Sequence, residues 1–165
     1  MGIRYHFNFM RLLDSLPGVI AVATVLTLSL ASCTSSGSSY SELHSQDLTL
    51  PDGKVIQVET MISREDQMRG MMFRTSLAPN RGMLYVHKDP GIYSYWTYQY
   101  EIPLDMLWMD TSHIITEMLE NVPPCRTKAS ECPHYGGTKV ARYHLELAGG
   151  MARKYGLKLG QRLEF

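Results

Sequence analysis

Closely spaced turn residues restrict most of this chain to short elements. Pro51-Asp52-Gly53, Lys88-Asp89-Pro90-Gly91 and Thr111-Ser112 each separate two segments that contain β-branched, aromatic or other large apolar residues. Such residues favour strands, while Gly, Pro and Asp favour the tight turns between them. We therefore expect a mainly β domain, either a compact β-sandwich or a partly open barrel of short strands with two small helices.

The turn residues and the segments between them also predict the bounds of the individual strands and helices. The expected strands cover residues 47–50, 54–60, 82–87, 92–100, 104–110, 113–119, 140–147 and 161–165. Ser63 is the expected N-cap of a short helix that ends at Gly70, and a second helix is expected from Gly150 to Tyr155. A loop rich in Pro and Gly fills residues 121–138.

Residues 1–32 are expected to be a signal peptide and not part of this domain. Arg4 and Arg11 precede an uncharged run, Val19 to Leu30. Twelve helical residues rise about 18 Å, well short of the roughly 30 Å hydrocarbon core of a bilayer. A cleaved secretory signal therefore fits better than a permanent membrane span.

The end of this run resembles the lipobox of bacterial lipoproteins. Leu30-Ala31-Ser32 precedes Cys33, and cleavage before the cysteine would leave its thiol to carry the lipid. We expect residues 33–46 to be the lipidated cysteine and a flexible Ser-rich tether, followed by one domain over 47–165. Thr34, rather than aspartate, favours the periplasmic side of the outer membrane as the location. An ordinary signal with a free Cys33 is the alternative.

Cys125 and Cys132 are expected to form a disulfide, because an exported protein meets an oxidising compartment. The alternative is a metal site that also uses His134. We favour the disulfide, since no second close pair of Cys or His is present. The methionines are interpreted as core packing, with a copper site as the alternative. We expect no metal or other cofactor.

Five stretches together are similar to one known family. They are "EDQMRGMMFRTSL", "RGMLYVH", "YWTYQYEIPLDMLWMD", "PCRTKASECPHYGG" and "ARYHLELAGGMARKYGLKLGQRLEF". Their order and spacing resemble the domain-of-unknown-function 192 family over about residues 48–165. The resemblance implies a compact, mostly β domain that is often exported in bacteria. It implies no established biochemical activity.

Within this resemblance, one stretch departs from the family pattern. The positions that match the pattern are Glu65, Arg69, Gly70, Met72, Phe73, Arg74, Gly82, Met83, Leu84, Trp96, Pro103, Leu104, Asp105, Arg142, Tyr143, Leu145 and Glu146. After Trp96 the relatives usually continue with Met, Lys, Asn and Thr, whereas this chain has Thr97, Tyr98, Gln99 and Tyr100. If that stretch lines a pocket, the ligand preference differs from that of the relatives.

A pocket is predicted from charged and aromatic residues. Its expected members are Arg74, Trp96, Tyr98, Asp105, Arg142, Tyr143 and Glu146. Arg74 could clamp an anion there, and Asp105 or Glu146 could accept hydrogen bonds. A paired network inside the fold is the alternative for the charged residues.

The ring-rich segment itself could form core or a ligand surface. As a strand it would place Trp96, Tyr98 and Tyr100 on one face and Tyr93 and Tyr95 on the other. The histidines His44, His87, His113 and His144 are interpreted as ordinary surface or half-buried residues.

Three functions stay open. The leading hypothesis is a lipid-anchored envelope protein that binds an envelope glycan or protein partner without chemistry. The second is a hydrolase of cell-wall glycan with Asp105 or Glu146 as the working carboxylate. The third is a purely structural module. The 16 basic and 16 acidic residues balance, which gives no electrostatic case for a nucleic-acid partner.

Overall fold

The computed structural model describes residues 44–165. The predicted signal peptide, the lipidation site at Cys33 and the tether up to residue 43 lie outside the described residues. In chain order the elements are β1 (Ser45–Thr49), β2 (Val55–Met61), α1 (Arg64–Arg69), β3 (Arg81–Gly91), β4 (Leu104–Met109), β5 (Ile115–Val122), β6 (Ala141–Ala148) and α2 (Met151–Lys154), with a 3-10 turn at Ala129–Glu131. The predicted mainly β class with two small helices is confirmed.

The six strands form one sheet in the order β1-β2-β3-β6-β4-β5. β2 and β3 pair in parallel, and α1 lies in the connection between them. The remaining neighbours are antiparallel. β6 therefore lies between β3 and β4, which places the middle of β6 near the centre of the sheet.

The C-terminal segment joins the two edges of this sheet. Glu164 pairs with Thr49 of β1, and Arg162 pairs with Ile114, just before β5. The sheet is thus bridged at one end, as in a partly open barrel. The predicted strand at 161–165 is wrong, because successive residues of this segment pair with opposite edges and form isolated bridges instead of a ladder.

β4 is buried along its whole length. On one face, Leu107 and Met109 pack in the main core with Leu84 and Leu145. On the other face, Leu104, Met106 and Trp108 pack in two smaller clusters with residues of β3, of the stretch 92–100 and of the loop 121–138. Met71, Met83, Met106 and Met109 are fully buried, as the prediction of core packing requires.

Local turn and cap signals are confirmed. β1 and β2 form the predicted hairpin around Gly53. The Ser63 hydroxyl accepts a hydrogen bond from the Asp66 amide at 3.1 Å, and Gly70 ends α1 with φ 45°. The predicted second helix is present as α2, which ends before Gly156.

The predicted strand at 92–100 and the predicted turn at 88–91 are both wrong. β3 continues through Pro90 to Gly91, and the following residues form only isolated bridges, from Tyr95 to Tyr135 and from Tyr98 to Cys125. Gln99 has a left-handed φ of 56°, which ends the extended backbone. The predicted alternation of rings between two faces is therefore lost. We call residues 92–100 the aromatic segment.

Candidate functional site

A cleft of about 710 Å³ opens between α1, the end of β3 and the aromatic segment. This volume lies within the range of small-ligand sites, roughly 300 to 1,000 Å³. Its lining residues are Ile62, Arg64, Gln67, Met68, Val86, His87, Lys88, Tyr93, Ser94, Tyr95, Trp96, Tyr100 and His134. We call it the aromatic cleft.

One wall of the aromatic cleft is the helix α1. The Gln67 side-chain amide donates to the Met61 carbonyl at 3.2 Å and to the Val86 carbonyl at 3.1 Å, which ties α1 to β2 and β3. Gln67 and Met68 are both neighbours of Arg64 on the helix surface, because they lie three and four residues after it. Met68 is 57% exposed, so part of the rim is apolar and open to solvent.

The opposite wall is built from rings that are held in place. Tyr93 stacks on His87 with centroids 3.5 Å apart, and its hydroxyl donates to the Asp89 carbonyl at 2.6 Å. The Trp108 indole N–H donates to the Tyr93 carbonyl at 2.8 Å, which fixes the backbone beneath the ring. Trp96 extends this wall and lies 5.9 Å from the His134 ring, centroid to centroid.

Tyr95 forms the floor of the cleft. Burial lowers the pKa of His87 to about 4 and raises the pKa of Tyr95. At neutral pH the imidazole is therefore uncharged and the phenol protonated, and the Tyr95 hydroxyl and His87 Nε2 share a hydrogen bond of 2.6 Å. One face of the Tyr95 ring stacks on the His144 ring, with centroids 3.8 Å apart.

A closed polar network lies behind Tyr95. The Glu146 carboxyl is fully buried and accepts hydrogen bonds from Tyr85 at 3.0 Å and from Tyr100 at 3.4 Å. The two phenols also contact each other at 3.4 Å, and burial raises the pKa of both. Of these three residues, only Tyr100 lines the cleft.

His144 has no hydrogen-bond partner among residues 44–165 at either ring nitrogen. Its Nε2 lies 3.5 Å from Glu146 Oε1, at the outer limit of hydrogen-bond distance. Burial lowers the pKa of His144, and the neighbouring Glu146 opposes this effect only in part. The imidazole is therefore neutral at physiological pH.

The predicted disulfide between Cys125 and Cys132 is present, with Cα atoms 5.7 Å apart. The loop that contains it lies against the aromatic segment: the Cys125 amide donates to the Thr97 carbonyl at 3.0 Å, and the Tyr135 amide donates to the Tyr95 carbonyl at 2.7 Å. Because His134 precedes Tyr135 in the chain, this contact brings His134 to the edge of the cleft.

The structure does not bring the seven predicted pocket residues together. Trp96 lines the aromatic cleft, Tyr98 packs on Trp96 at 5.5 Å between centroids, and Glu146 lies buried behind the floor. Arg74 lies in a separate small cleft of about 70 Å³. There it donates two hydrogen bonds of 2.6 Å to Glu59, and this contact raises its pKa.

Asp105 supports the backbone and lies away from the cleft. Its carboxylate is fully buried and accepts from the amides of Asn121 at 2.8 Å, Gly150 at 3.0 Å and Ala152 at 2.7 Å. These bonds join β4 to the end of β5 and to the start of α2. The predicted alternative, a paired network inside the fold, therefore describes both Asp105 and Arg74.

Arg142 and Tyr143 lie at the end of the sheet that the C-terminal segment bridges. The Arg142 guanidinium lies 5.6 Å from the centroid of the Tyr143 ring. That ring contacts His113 and Phe165, edge to face, at 4.8 and 5.1 Å between centroids. Neither residue lines the aromatic cleft.

The sequence interpretation missed several cleft residues. His87 was interpreted as an ordinary histidine, and Arg64, Gln67 and Lys88 were not predicted as site residues. His144, interpreted as a surface or half-buried residue, is fully buried behind the cleft. The only available indication was the density of rings from Tyr93 to Tyr100, which was weighed as a ligand surface. Within residues 44–165, no three His, Cys, Asp or Glu side chains are placed to hold a metal ion, and no helix is both long and apolar enough to cross a bilayer.

The chain belongs to the domain-of-unknown-function 192 family. A family profile described as "Uncharacterized ACR" matches residues 48–165, nearly all of the described domain. This match confirms the resemblance found in the sequence. No curated protein matches the chain.

Two similar crystal structures support the fold. A protein from Sinorhizobium meliloti 1021, provisionally named a transcription regulator, is 27% identical, with a TM-score of 0.63 over 72% of this chain and 89% of that one. A protein of unknown function from Novosphingobium aromaticivorans DSM 12444 is 25% identical, with a TM-score of 0.64 over 72% of this chain and 82% of that one.

Proposed function

We propose that this protein is a non-catalytic binding module of the bacterial cell envelope that holds a small organic ligand in the aromatic cleft. The observation that carries the proposal is the set of rings that line the wall and floor of the cleft, namely Tyr93, Trp96 and Tyr95. Open concave sites with aromatic walls and a few fixed polar groups are typical of small-ligand sites.

The aromatic wall is already arranged for binding. Tyr93 is fixed by its stacking on His87 and by two hydrogen bonds, and Tyr95 is fixed between His87 and His144. Side chains that are ordered before a ligand arrives lose little conformational entropy when it binds. The cleft can therefore bind without rebuilding its wall.

The envelope location rests on the sequence. Leu30-Ala31-Ser32-Cys33 favours lipidation of Cys33, and the Ser-rich tether lets the domain stand away from the membrane. The Cys125–Cys132 disulfide supports an oxidising compartment, such as the periplasm. Thr34 after the cysteine favours the outer membrane.

Mass spectrometry of the protein from native membranes tests this location directly. A mature chain that starts with a lipidated Cys33 supports the proposal. An intact amino terminus, or an unmodified thiol at Cys33, would contradict it.

The hydrolase alternative has less support. Asp105 and Glu146 are both fully buried, and their oxygens already accept hydrogen bonds within the fold. A working carboxylate must reach substrate or a water beside it. Neither carboxylate lines the aromatic cleft.

The binding function is tested by thermal-shift screening of the full chain in non-ionic detergent against glycans, peptidoglycan fragments and metal ions. We expect at least one organic compound to raise the unfolding temperature, and Trp96→Ala to abolish that rise. Phe73→Ala, an exposed aromatic outside the cleft, is the matched control and keeps the rise. If no compound stabilises the wild type, the result counts against binding of small molecules and leaves a protein partner or the purely structural module.

A further inference from the structure

We infer that the ligand of the aromatic cleft is an organic acid, with a carboxylate attached to a ring that has a flat or apolar face. This inference rests on the proposed binding function and adds the chemical class of the ligand. The charges of the residues that line the cleft support this inference. No motif in the sequence indicates this distribution of charge.

The lining is cationic. Of its thirteen residues, Arg64 and Lys88 carry permanent positive charges, two are histidines, and none is Asp or Glu. The chain as a whole has equal numbers of basic and acidic residues. The excess of positive charge is therefore local to the cleft and favours an anionic ligand.

Neither cation is neutralised by the described part of the protein. The arginines Arg74, Arg126 and Arg153 each form an ion pair with a glutamate. Arg64 and Lys88 form no ion pair within residues 44–165, and both side chains are exposed. They can therefore meet a ligand without first breaking an internal contact.

The acidic residues near these elements do not line the cleft, including Glu65 and Asp89, which adjoin Arg64 and Lys88 in the chain. Asp66 of α1 contacts the Ser63 hydroxyl and lines the small Arg74 cleft instead. Glu146 is buried behind Tyr85 and Tyr100 and is absent from the lining. A carboxylate in the aromatic cleft therefore meets no acidic side chain along its walls.

The remaining surface of the cleft selects the body of the ligand. Tyr93, Tyr95 and Trp96 offer aromatic faces, and the exposed apolar side chains of Ile62 and Met68 lie at the rim. Flat aromatic rings and the apolar faces of sugars both fit such a surface. A carboxylate is the simplest acidic group for two separate cations, because Arg and Lys both donate charge-assisted hydrogen bonds to it.

The test compares ligands that differ mainly in the acidic group. Isothermal titration of the full chain in non-ionic detergent uses N-acetylmuramic acid against N-acetylglucosamine, and 2-naphthoate against 2-naphthalenemethanol. The first pair represents a sugar body and the second an aromatic body. We expect the acid of at least one pair to bind about tenfold or more tightly than its neutral partner, and this ratio to fall as salt rises.

The charge variants assign this preference to the cleft. In the double variant Arg64→Gln/Lys88→Gln, the acid and its neutral partner bind equally. The control Lys154→Gln/Lys158→Gln removes the same charge from exposed positions outside the lining and keeps the tenfold ratio.

Two results separate the inference from the proposed function. If the neutral partner binds as tightly as the acid and Trp96→Ala abolishes both, the binding module stands and the acidic ligand is refuted. If none of the four compounds binds the wild type, the acidic-ligand inference falls; the thermal-shift screen then decides whether the binding function falls with it.

Discussion

The Tyr95 ring lies flat on the His144 ring, with centroids 3.8 Å apart and planes inclined by 15°, while its hydroxyl is hydrogen-bonded to His87 Nε2 at 2.6 Å. Tyr95 thus separates the open cleft from the buried His144 and Glu146. The Tyr95 ring therefore covers the neutral imidazole of His144, which has no hydrogen-bond partner among residues 44–165.

Replacing Tyr95 tests this separation. Tyr95→Phe keeps the stacked ring and loses only the bond to His87, so we expect the free energy of unfolding to fall by about 1 kcal/mol. Tyr95→Ala also loses the ring and leaves a cavity, so we expect a fall of about 3 to 5 kcal/mol. Urea denaturation measures both, and equal losses in the two variants would show that the ring contributes nothing.

Gly70 is expected to tolerate no side chain, because it lies against two hydroxyls of the buried network. A Cβ at Gly70 would lie within 2.6 Å of the hydroxyls of both Tyr85 and Tyr100. We expect Gly70→Ala to destabilise the fold by about 2 to 4 kcal/mol. Gly53→Ala is the matched control: its φ is also positive but no atom lies within 4 Å, so only the backbone strain of about 1 kcal/mol remains. Similar losses would contradict the close contact.

Asp105→Asn separates a structural role from a catalytic one. Asn offers one acceptor oxygen where the carboxylate receives three amides, so we expect a loss of about 3 kcal/mol in chemical denaturation. Asp110→Asn, whose carboxylate accepts two amides in a half-buried turn through one oxygen, is the control and costs about 1 kcal/mol. An Asp105→Asn protein of wild-type stability would reopen a functional role for this carboxylate.

The depressed pKa of His87 predicts weaker folding in acid. Its pKa is about 4 when folded and about 6.5 when unfolded, so the unfolded chain binds the proton more readily between these values. Stability therefore falls as the pH drops from about 6.5 to 4, and it does not change through this group above 6.5. After allowance for partial exposure, we expect this histidine to contribute about 2 kcal/mol.

His87→Gln checks the origin of this slope. Urea denaturation at pH 7.5, where His87 is uncharged in both states, gives the baseline effect of the substitution. Relative to that baseline, the variant should lose less stability at pH 4.5 than the wild type does. The fully buried His144 also has a lowered pKa, so part of the slope remains. An unchanged slope in His87→Gln would show that His87 is not responsible.

Local features of the sequence predict local structure well in this chain. Ser63, Gly70 and the turn at Gly53 have effects confined to a few neighbouring residues, so the hairpin and α1 were predicted. The aromatic segment was mispredicted because its backbone conformation depends on contacts with residues distant in the sequence. These contacts are the bridges from Tyr95 to Tyr135 and from Tyr98 to Cys125.

The site was harder to predict than the fold for the same reason. Charged residues such as Arg74 and Asp105 are recognisable as positions that need partners, but the sequence does not show that Glu59 and three backbone amides supply them. In the sequence, Arg64 and Lys88 do not differ from other exposed cations. Only the fold shows that both line one cleft and that no Asp or Glu lines it with them.

The central claim is that the aromatic cleft is the binding site, and NMR mapping on the full chain in non-ionic detergent tests it most directly. With 2-naphthoate and then N-acetylmuramic acid as probes, we predict that the largest amide shift changes occur at Tyr93 to Trp96, Gln67 and His134. Changes that cluster instead at Arg142 and Tyr143 would contradict the account. No change with either probe would refute the acidic ligand, and the mapping would then use the compounds that stabilise the wild type in the thermal-shift screen.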